Sequence, residues 1–189
     1  MLRFDEVAAR LRNRIESAQL IAIDGLPVSG KSTLATRLAA TFDLDILGVD
    51  DFVLPRRQRT KDMAPAFPFP YFRIDAFRKA VEDLHSTGTC SYLPFDWKTG
   101  RIRSHPFTLK RRGPVIVEGC SALDPALAAR YDLRIFVESH RPTLLEARTL
   151  RDGTSDAANW RDLYVPSADL YLATNPQSRA DFLVAGRGL

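Results

Sequence analysis

The sequence has little of what marks a secreted, membrane or nucleic-acid-binding protein. Its 189 residues include two cysteines, Cys90 and Cys120, too few and too far apart for a metal site or a disulfide framework. No apolar run reaches about 18 residues, so no transmembrane helix is predicted. The net charge is only +4, and no basic block alternates with aromatic residues over a long stretch. These absences predict a cytoplasmic protein that binds neither membranes nor nucleic acid.

What the sequence does contain is an alternation of apolar runs and stretches of helical periodicity. Alternation of this kind predicts a parallel sheet covered by helices on both faces, in one α/β domain over 1–189. The predicted strands are 20–24, 46–49, 114–118, 133–137 and 169–173, and the predicted helices are 4–19, 31–42, 75–86 and 142–151. The helix within 1–19 is amphipathic, and the part of 52–112 outside helix 75–86 is an irregular excursion, β-rich over 90–112.

Residues 25–32 fill every position of the phosphate-binding pattern G-x-x-x-x-G-K-[ST]. Gly25 and Gly30 let the backbone curl its amides around phosphate oxygens, Lys31 reaches the β- and γ-phosphates, and the Ser32 hydroxyl coordinates Mg²⁺. A predicted strand precedes the loop and a predicted helix follows it, as this motif requires. The pattern predicts a nucleoside triphosphate and Mg²⁺ as ligands, contacted by Gly25, Leu26, Pro27, Val28, Ser29, Gly30, Lys31, Ser32 and Thr33.

Acidic residues lie at the ends of three predicted strands: Asp24, the pair Asp50–Asp51, and Glu118. Ligands of parallel sheets bind outside the carboxyl ends of the strands, so we expect these acids to converge near the triphosphate. Asp50 is the predicted general base for an acceptor hydroxyl and a predicted metal ligand, with Asp51 as the alternative base. Glu118 is predicted to reach Mg²⁺ or its water shell. The alternatives without a function in catalysis are that the aspartates cap the following segment and that Glu118 is a solvated strand end.

Basic residues supply the remaining candidates. Arg148 and Arg151 lie three residues apart on one helix face, where they would close over a transferring phosphoryl group as a lid. They could instead form a surface ion-pair face with Glu146 and Asp152. After Asp50, arginines are followed by aromatic residues that would line an acceptor site or cover the sheet edge: Arg56, Arg57, Arg59, Phe67, Phe69, Tyr71 and Phe72. Arg101 and Arg103 are further candidates for an anionic acceptor.

Five segments in order along the chain resemble the uridine kinase family of P-loop kinases. This group includes uridine–cytidine kinase, nicotinamide riboside kinase, phosphoribulokinase and bacterial pantothenate kinase. The segments are the P-loop, Val-Asp-Asp-Phe at 49–52, Tyr-Leu-Pro-Phe-Asp-Trp at 92–97, Val-Ile-Val-Glu-Gly at 115–119 and Arg-Thr-Leu-Arg-Asp at 148–152. The resemblance implies a P-loop fold with a five-stranded parallel sheet and a short lid within 141–160. It further implies ATP as donor, Mg²⁺ as metal, Asp50 as base and Asp75 as a ligand of acceptor hydroxyls.

The sequence departs from that family where a pyrimidine would be read. Uridine–cytidine kinases carry Tyr-Asp-Phe followed by a His, whereas this chain has Phe95-Asp96-Trp97 and then Gly100. Buried hydrogen-bond partners give a base pocket its discrimination, so pyrimidine specificity is not predicted. Phe95 is predicted to contact the acceptor. The first expectation is a nucleoside or another ribose-containing acceptor, and the alternative is a carboxylated or phosphorylated metabolite.

Two other classes of nucleotide-binding protein share a P-loop of this kind. A GTPase switch would require an Asn/Thr-Lys-x-Asp motif, and the nearest segment, Thr174-Asn175-Pro176-Gln177, has neither the Lys nor the Asp. A regulatory module that binds a nucleotide without catalysis is the other alternative, which an assay of acceptor-dependent ADP release would separate from a kinase. The expected partners are therefore ATP and a small acceptor, and a homo-oligomer is left open.

Overall fold

The computed structural model describes residues 1–59, 63–152 and 157–189. In chain order its helices and strands are α1 (Val7–Arg10), α2 (Arg12–Ser17), β1 (Leu20–Gly25), α3 (Lys31–Phe42), β2 (Asp45–Gly48), α4 (Ile74–Thr87), β3 (Thr89–Tyr92), β4 (Phe95–Asp96), β5 (Arg101–Ile102), β6 (Phe107–Lys110), β7 (Val115–Glu118), β8 (Leu133–Glu138), α5 (Arg141–Asp152), α6 (Ala157–Asn159), α7 (Val165–Leu172) and β9 (Phe182–Ala185). A 3₁₀ turn spans Val49–Phe52, and a π-helical turn over Trp160–Tyr164 joins α6 to α7. No described helix is long and apolar enough to cross a membrane.

The main sheet has five parallel strands in the order β2-β7-β1-β8-β9. Strand β1 is fully buried at its centre, with Ile23 opposite Glu118 of β7 and Gly25 opposite Val137 of β8. Glu118 is also opposite Gly48, the last residue of β2. The carboxyl ends of β1, β7 and β2 therefore share one edge of the sheet. This confirms the predicted α/β fold with a five-stranded parallel sheet.

Hydrophobic cores lie on both faces of the sheet. One contains Phe77 and Leu84 of α4, and the other contains Val7, Ile15 and Leu34 from the helices α1, α2 and α3. Burial of aliphatic and aromatic side chains of this size contributes about 1.5–3 kcal/mol each. The predicted helix over 4–19 is divided at Leu11 into α1 and α2, yet its apolar face packs on the sheet as expected.

The predicted last strand, 169–173, is wrong. That segment lies in helix α7, where Ser167, Ala168 and Tyr171 are buried at helical spacing. The short apolar run around Tyr171 suits a buried helix as well as a strand, and Pro166 is favourable at a helix start. The fifth strand is β9, which pairs in parallel with β8, Phe182 lying opposite Ile135.

Candidate active site

The phosphate-binding loop connects β1 to α3 in a conformation that requires glycine. Gly25 has φ = 156°, and a Cβ there would lie 2.7 Å from both the Ser29 hydroxyl and the Val137 carbonyl oxygen. Gly30, with φ = 106°, precedes the first residue of α3. The loop therefore presents the amino terminus of a twelve-residue helix at the carboxyl edge of the sheet, an arrangement that favours phosphate binding.

Lys31, Ser32 and Glu118 meet beside this loop. The Ser32 hydroxyl donates a hydrogen bond of 2.9 Å to Glu118 Oε1, and Lys31 Nζ lies 3.9 Å from the same oxygen. Burial raises the pKa of Glu118, although Lys31 and Ser32 oppose that shift. A hydroxyl and a carboxylate oxygen side by side are the ligands that Mg²⁺ prefers, so this pair fits the predicted metal.

The two consecutive aspartates of the Val49–Phe52 turn have different surroundings. Asp50 is exposed and lines the same cavity as Lys31 and Ser32. Asp51 instead accepts a hydrogen bond of 2.8 Å from the Tyr92 hydroxyl, and burial raises the pKa of its carboxyl. Of the pair, only Asp50 lines the cavity in which a ligand would be held.

Asp24, the third acid expected near the triphosphate, is wholly buried beneath the P-loop. Its carboxylate accepts hydrogen bonds from the amides of Gly25, Ser121 and Leu123 over 2.6, 3.1 and 2.7 Å, and from the Tyr171 hydroxyl. Burial raises its pKa to about 6. Asp24 does lie close enough to Glu118 to add to the rise that burial causes in the pKa of that carboxyl, but its own oxygens are engaged by the protein's donors and tie β1 to α7, so it does not line the cavity.

A cavity of about 640 Å³ extends from the P-loop and is large enough for a nucleotide's phosphates and a small acceptor. Its walls are partly aromatic and partly basic. The lining residues are Pro27, Val28, Gly30, Lys31, Ser32, Thr33, Asp50, Val53, Arg56, Arg59, Tyr71, Phe72, Trp97, Cys120, Trp160, Tyr164 and Arg187. The loop after Asp50 thus contributes both arginines and aromatic residues to the cavity.

One predicted lid arginine packs against the cavity wall. Arg148 is only 6% exposed, and its guanidinium carbon lies 5.1 Å from the ring centre of Trp160, a cation–π contact. The backbone of Arg151 belongs to α5, but its side chain lies outside the described residues, as do residues 153–156 of the predicted lid region.

The four substrate candidates from the sequence do not line this cavity. Asp75 is exposed in the first turn of α4. Arg101 and Arg103 line a separate open groove of about 820 Å³, together with His105. Phe95 is buried, with its ring centre 5.6 Å from the guanidinium carbon of Arg59. Phe95 thus reaches the cavity only through Arg59.

Sequence reasoning missed several residues that the fold brings to the cavity, among them Trp160, Tyr164 and Arg187. The first two form an edge-to-face pair with ring centres 5.7 Å apart. Two aromatic residues four apart were a usable signal, because that spacing places them on one helix face. Arg187 follows the strand that was not predicted, and its amide donates to the Ser29 carbonyl over 3.2 Å.

Comparison with solved structures supports the same fold. A possible uridine kinase from Bacillus stearothermophilus matches with a TM-score of 0.68 and 20% identity, over 93% of this chain and 99% of that one. A candidate fructose transport system kinase from Silicibacter sp. TM1040 matches with a TM-score of 0.69 and 24% identity, over 96% and 98%. D-glycerate 3-kinase from Cryptococcus neoformans matches with a TM-score of 0.56 and 11% identity, over 92% and 85%.

No protein-family model matches the sequence. At these identities the structural likeness shows the fold alone, and that fold is the one of uridine kinase-like P-loop kinases. The resemblance stated from the sequence is confirmed at this level.

Proposed function

We propose that this protein is a Mg²⁺- and ATP-dependent kinase that transfers the γ-phosphoryl group to a hydroxyl of a small metabolite. The observation that carries the proposal is one cavity lined by Lys31 and Ser32 of the P-loop and by Asp50. Phosphoryl transfer needs a bound triphosphate, a hydroxyl in line with its γ-phosphorus and a group to accept the proton, and these residues provide for all three.

In the proposed reaction, the acceptor oxygen bonds to the γ-phosphorus while the bond to the β–γ bridging oxygen breaks. ADP leaves, and the hydroxyl proton passes to the Asp50 carboxylate. Lys31 holds the β- and γ-phosphates by its charge. Ser32, Glu118 and Asp50 would hold Mg²⁺, which supplies neutralisation of phosphate charge when bound.

Arg148 would close over the transferring group, with Arg151 as its proposed partner on the same helix. The contact between Arg148 and Trp160 supports this role, because Trp160 lines the cavity and a lid must exclude water from it. The two cysteines are free and buried, which supports a protein that works in a reducing cytoplasm.

Two of the solved structures of similar fold are named as a D-glycerate 3-kinase and a candidate fructose transport system kinase. The resemblance in sequence favours a nucleoside or another ribose-containing acceptor, and the aromatic walls of the cavity would suit a sugar or a base. The test is a panel of nucleosides, vitamins, sugars and hydroxy acids scored for acceptor-dependent ADP formation. Failure to bind ATP, or ADP release that no acceptor stimulates, would contradict the proposal.

A further inference from the structure

Two cavity-lining arginines have only neutral partners in the part of the chain that the structure describes. Nη2 of Arg56 donates to the Trp97 carbonyl over 3.3 Å, and Nη1 of Arg59 donates to the Tyr164 hydroxyl over 3.4 Å. Nε of Arg59 is buried and has no hydrogen-bond partner among the described residues. Each guanidinium has five donors, and among the described residues only one donor of each has an acceptor, which leaves most of this capacity for a ligand.

Both arginines are held at the positions where the sequence lacks the base-reading groups of uridine–cytidine kinases. The Arg56 amide donates to the Gly100 carbonyl over 3.1 Å, and its side-chain Cδ lies 2.7 Å from where a Cβ of Gly100 would stand. Arg59 lies over the Phe95 ring. A side chain at 100 would displace the stem of Arg56, so the glycine makes room for the arginine. Cationic side chains therefore pack against the two positions, 95 and 100, at which the sequence resemblance would place a Tyr and a His.

The cavity lining as a whole carries an excess of positive charge. Among the residues that the structure describes, the charged lining consists of one acid, Asp50, and four bases, Lys31, Arg56, Arg59 and Arg187. Lys31 belongs to the P-loop, and the Arg187 amide is bonded to Ser29 of that loop. Arg56 is instead hydrogen-bonded to the β4–β5 hairpin, and Arg59 to the π-helical turn. Both arginines therefore lie beside the aromatic walls of the cavity, where their charge can bind a second ligand.

A ligand that fills the cavity removes water from these guanidiniums, which is costly unless the ligand brings opposite charge. A planar guanidinium matches a carboxylate or a phosphate with two parallel hydrogen bonds. We propose that the acceptor carries a carboxylate or a phosphate, which binds Arg56 and Arg59 while the acceptor hydroxyl meets Asp50. This inference rests on the proposed kinase function and narrows it to anionic acceptors.

The first experiment compares acceptors in matched pairs that differ in the anionic group. The pairs are ribose 5-phosphate and ribose, D-glycerate and glycerol, and pantothenate and pantothenol, each assayed for acceptor-dependent ADP formation. In the pair that reacts, we expect kcat/KM to be roughly tenfold to a hundredfold higher for the anionic member. Charge-assisted hydrogen bonds usually change affinity by a factor of this size. The ribose pair reports on phosphate and the other two on carboxylate.

The second experiment measures binding without turnover. The two tryptophans of the chain, Trp97 and Trp160, both line the cavity, so their fluorescence reports its occupancy. The protein is saturated with Mg²⁺ and a non-hydrolysable ATP analogue, so that the P-loop is filled, and is titrated with both members of each pair. We expect saturable binding of an anionic member, weakened roughly tenfold or more by Arg59→Gln and by Arg56→Gln. Arg112→Gln, an exposed arginine just before the opposite end of β7, is the control and should leave binding unchanged.

The outcomes separate this inference from the kinase proposal. ADP formation that favours the neutral member of the pairs, or anion binding that both glutamine variants leave intact, overturns the inference while the kinase stands. Saturation with none of the anionic probes also overturns it. If the variants raise KM for ATP but not for the acceptor, the arginines bind the triphosphate and the inference is wrong. Failure of wild-type protein to bind the ATP analogue defeats the kinase proposal itself.

Discussion

The two sides of the cavity are built in different ways. The proposed nucleotide side comes from one continuous stretch, residues 25–33, whose shape is fixed by the backbone conformation of Gly25 and Gly30 between β1 and α3. The acceptor side consists of side chains from distant segments. Arg59 contacts Tyr164, which lies 105 residues further along the chain, and the ring of Tyr71 stands 4.8 Å from that of Tyr164.

Because of this difference, the two sides are expected to determine different properties of the protein. A backbone cradle with one lysine recognises a triphosphate whatever the second substrate is. A wall of side chains can be changed one residue at a time without disturbing the sheet. We therefore expect substitutions on the nucleotide side to abolish all activity, and substitutions on the acceptor side to change which acceptor is used.

The largest effect is expected for Lys31→Ala. Lys31 is 9% exposed beside Glu118, and loss of its side chain removes the point charge on the β- and γ-phosphates, so we expect no detectable phosphoryl transfer with any acceptor. The measurement is ADP formation by a variant whose far-ultraviolet circular dichroism matches wild type. Lys79→Ala, at an exposed lysine of α4 paired with Asp83, is the control and should keep full turnover. Near-normal turnover by a folded Lys31→Ala protein would exclude the P-loop from the mechanism.

The next effect concerns the general base. Asp50→Asn should preserve ATP binding, measured by calorimetry, and lower kcat by roughly 10²–10⁴, the range for losing a general base. Asp51→Asn should be milder, because the Asp51 carboxylate accepts its hydrogen bond from Tyr92 and does not line the cavity. The opposite order of the two variants would show that Asp51 is the base.

The comparison also explains which features the sequence could predict. The P-loop, the helix after it and the strands 20–24, 114–118 and 133–137 are encoded locally, by glycines and by apolar runs, and the structure confirms them. The run around Tyr171 was read as a strand because four or five apolar residues suit either structure when both are buried. The hydrogen bond from Tyr171 to Asp24 and the ring contact between Tyr171 and Phe67 are long-range contacts, which the run itself does not specify.

The candidate site residues also divide into those that local sequence specifies and those that long-range contacts place. Those of the P-loop, with Asp50 and Glu118, depend on where strands end, and the structure brings them together. Arg101 and Arg103 depend on the direction in which the β4–β5 hairpin turns, which spacing along the chain does not specify, and they line another groove. Asp24 ends a strand as predicted, but its burial beneath the loop could not be read from its position.

A smaller effect is expected in the pH dependence of stability. Burial raises the pKa of Asp24 to about 6 from 3.8, so the folded state holds this proton more tightly than the unfolded chain does. The resulting stability is fully present below about pH 4 and is lost as the pH rises through about 6, by about 3 kcal/mol in total. Urea unfolding at several pH values should show this slope in wild type and lack it in Asp24→Asn.

Tyr171→Phe is the matched variant for that measurement. Its hydroxyl donates to the Asp24 carboxylate and lowers the pKa of Asp24, so its removal should steepen the loss of stability above about pH 6. We expect about 1–3 kcal/mol less stability than wild type at pH 7.5, and a smaller difference at pH 4, since the bond is strongest to the charged form. Identical slopes in wild type and Asp24→Asn would assign the pH dependence to other groups.

The smallest effect is expected in discrimination among nucleosides. Phe95 and Gly100 offer no polar side chain to a base edge, and Arg56 and Arg59 are proposed to bind an anionic group that no nucleoside carries, so we expect little discrimination through hydrogen bonds to the base. We expect uridine, cytidine and a purine nucleoside to be poor acceptors whose kcat/KM values lie within roughly a hundredfold of one another, the range that shape alone provides. The measurement is acceptor-dependent ADP formation with each nucleoside at several concentrations. A preference of about 10⁴ or more for uridine would require a polar group that reads the base. His105 would be the first residue to substitute. It lies in the groove beside the β4–β5 hairpin, together with Arg101 and Arg103, and the same hairpin accepts the hydrogen bond of the Arg56 amide.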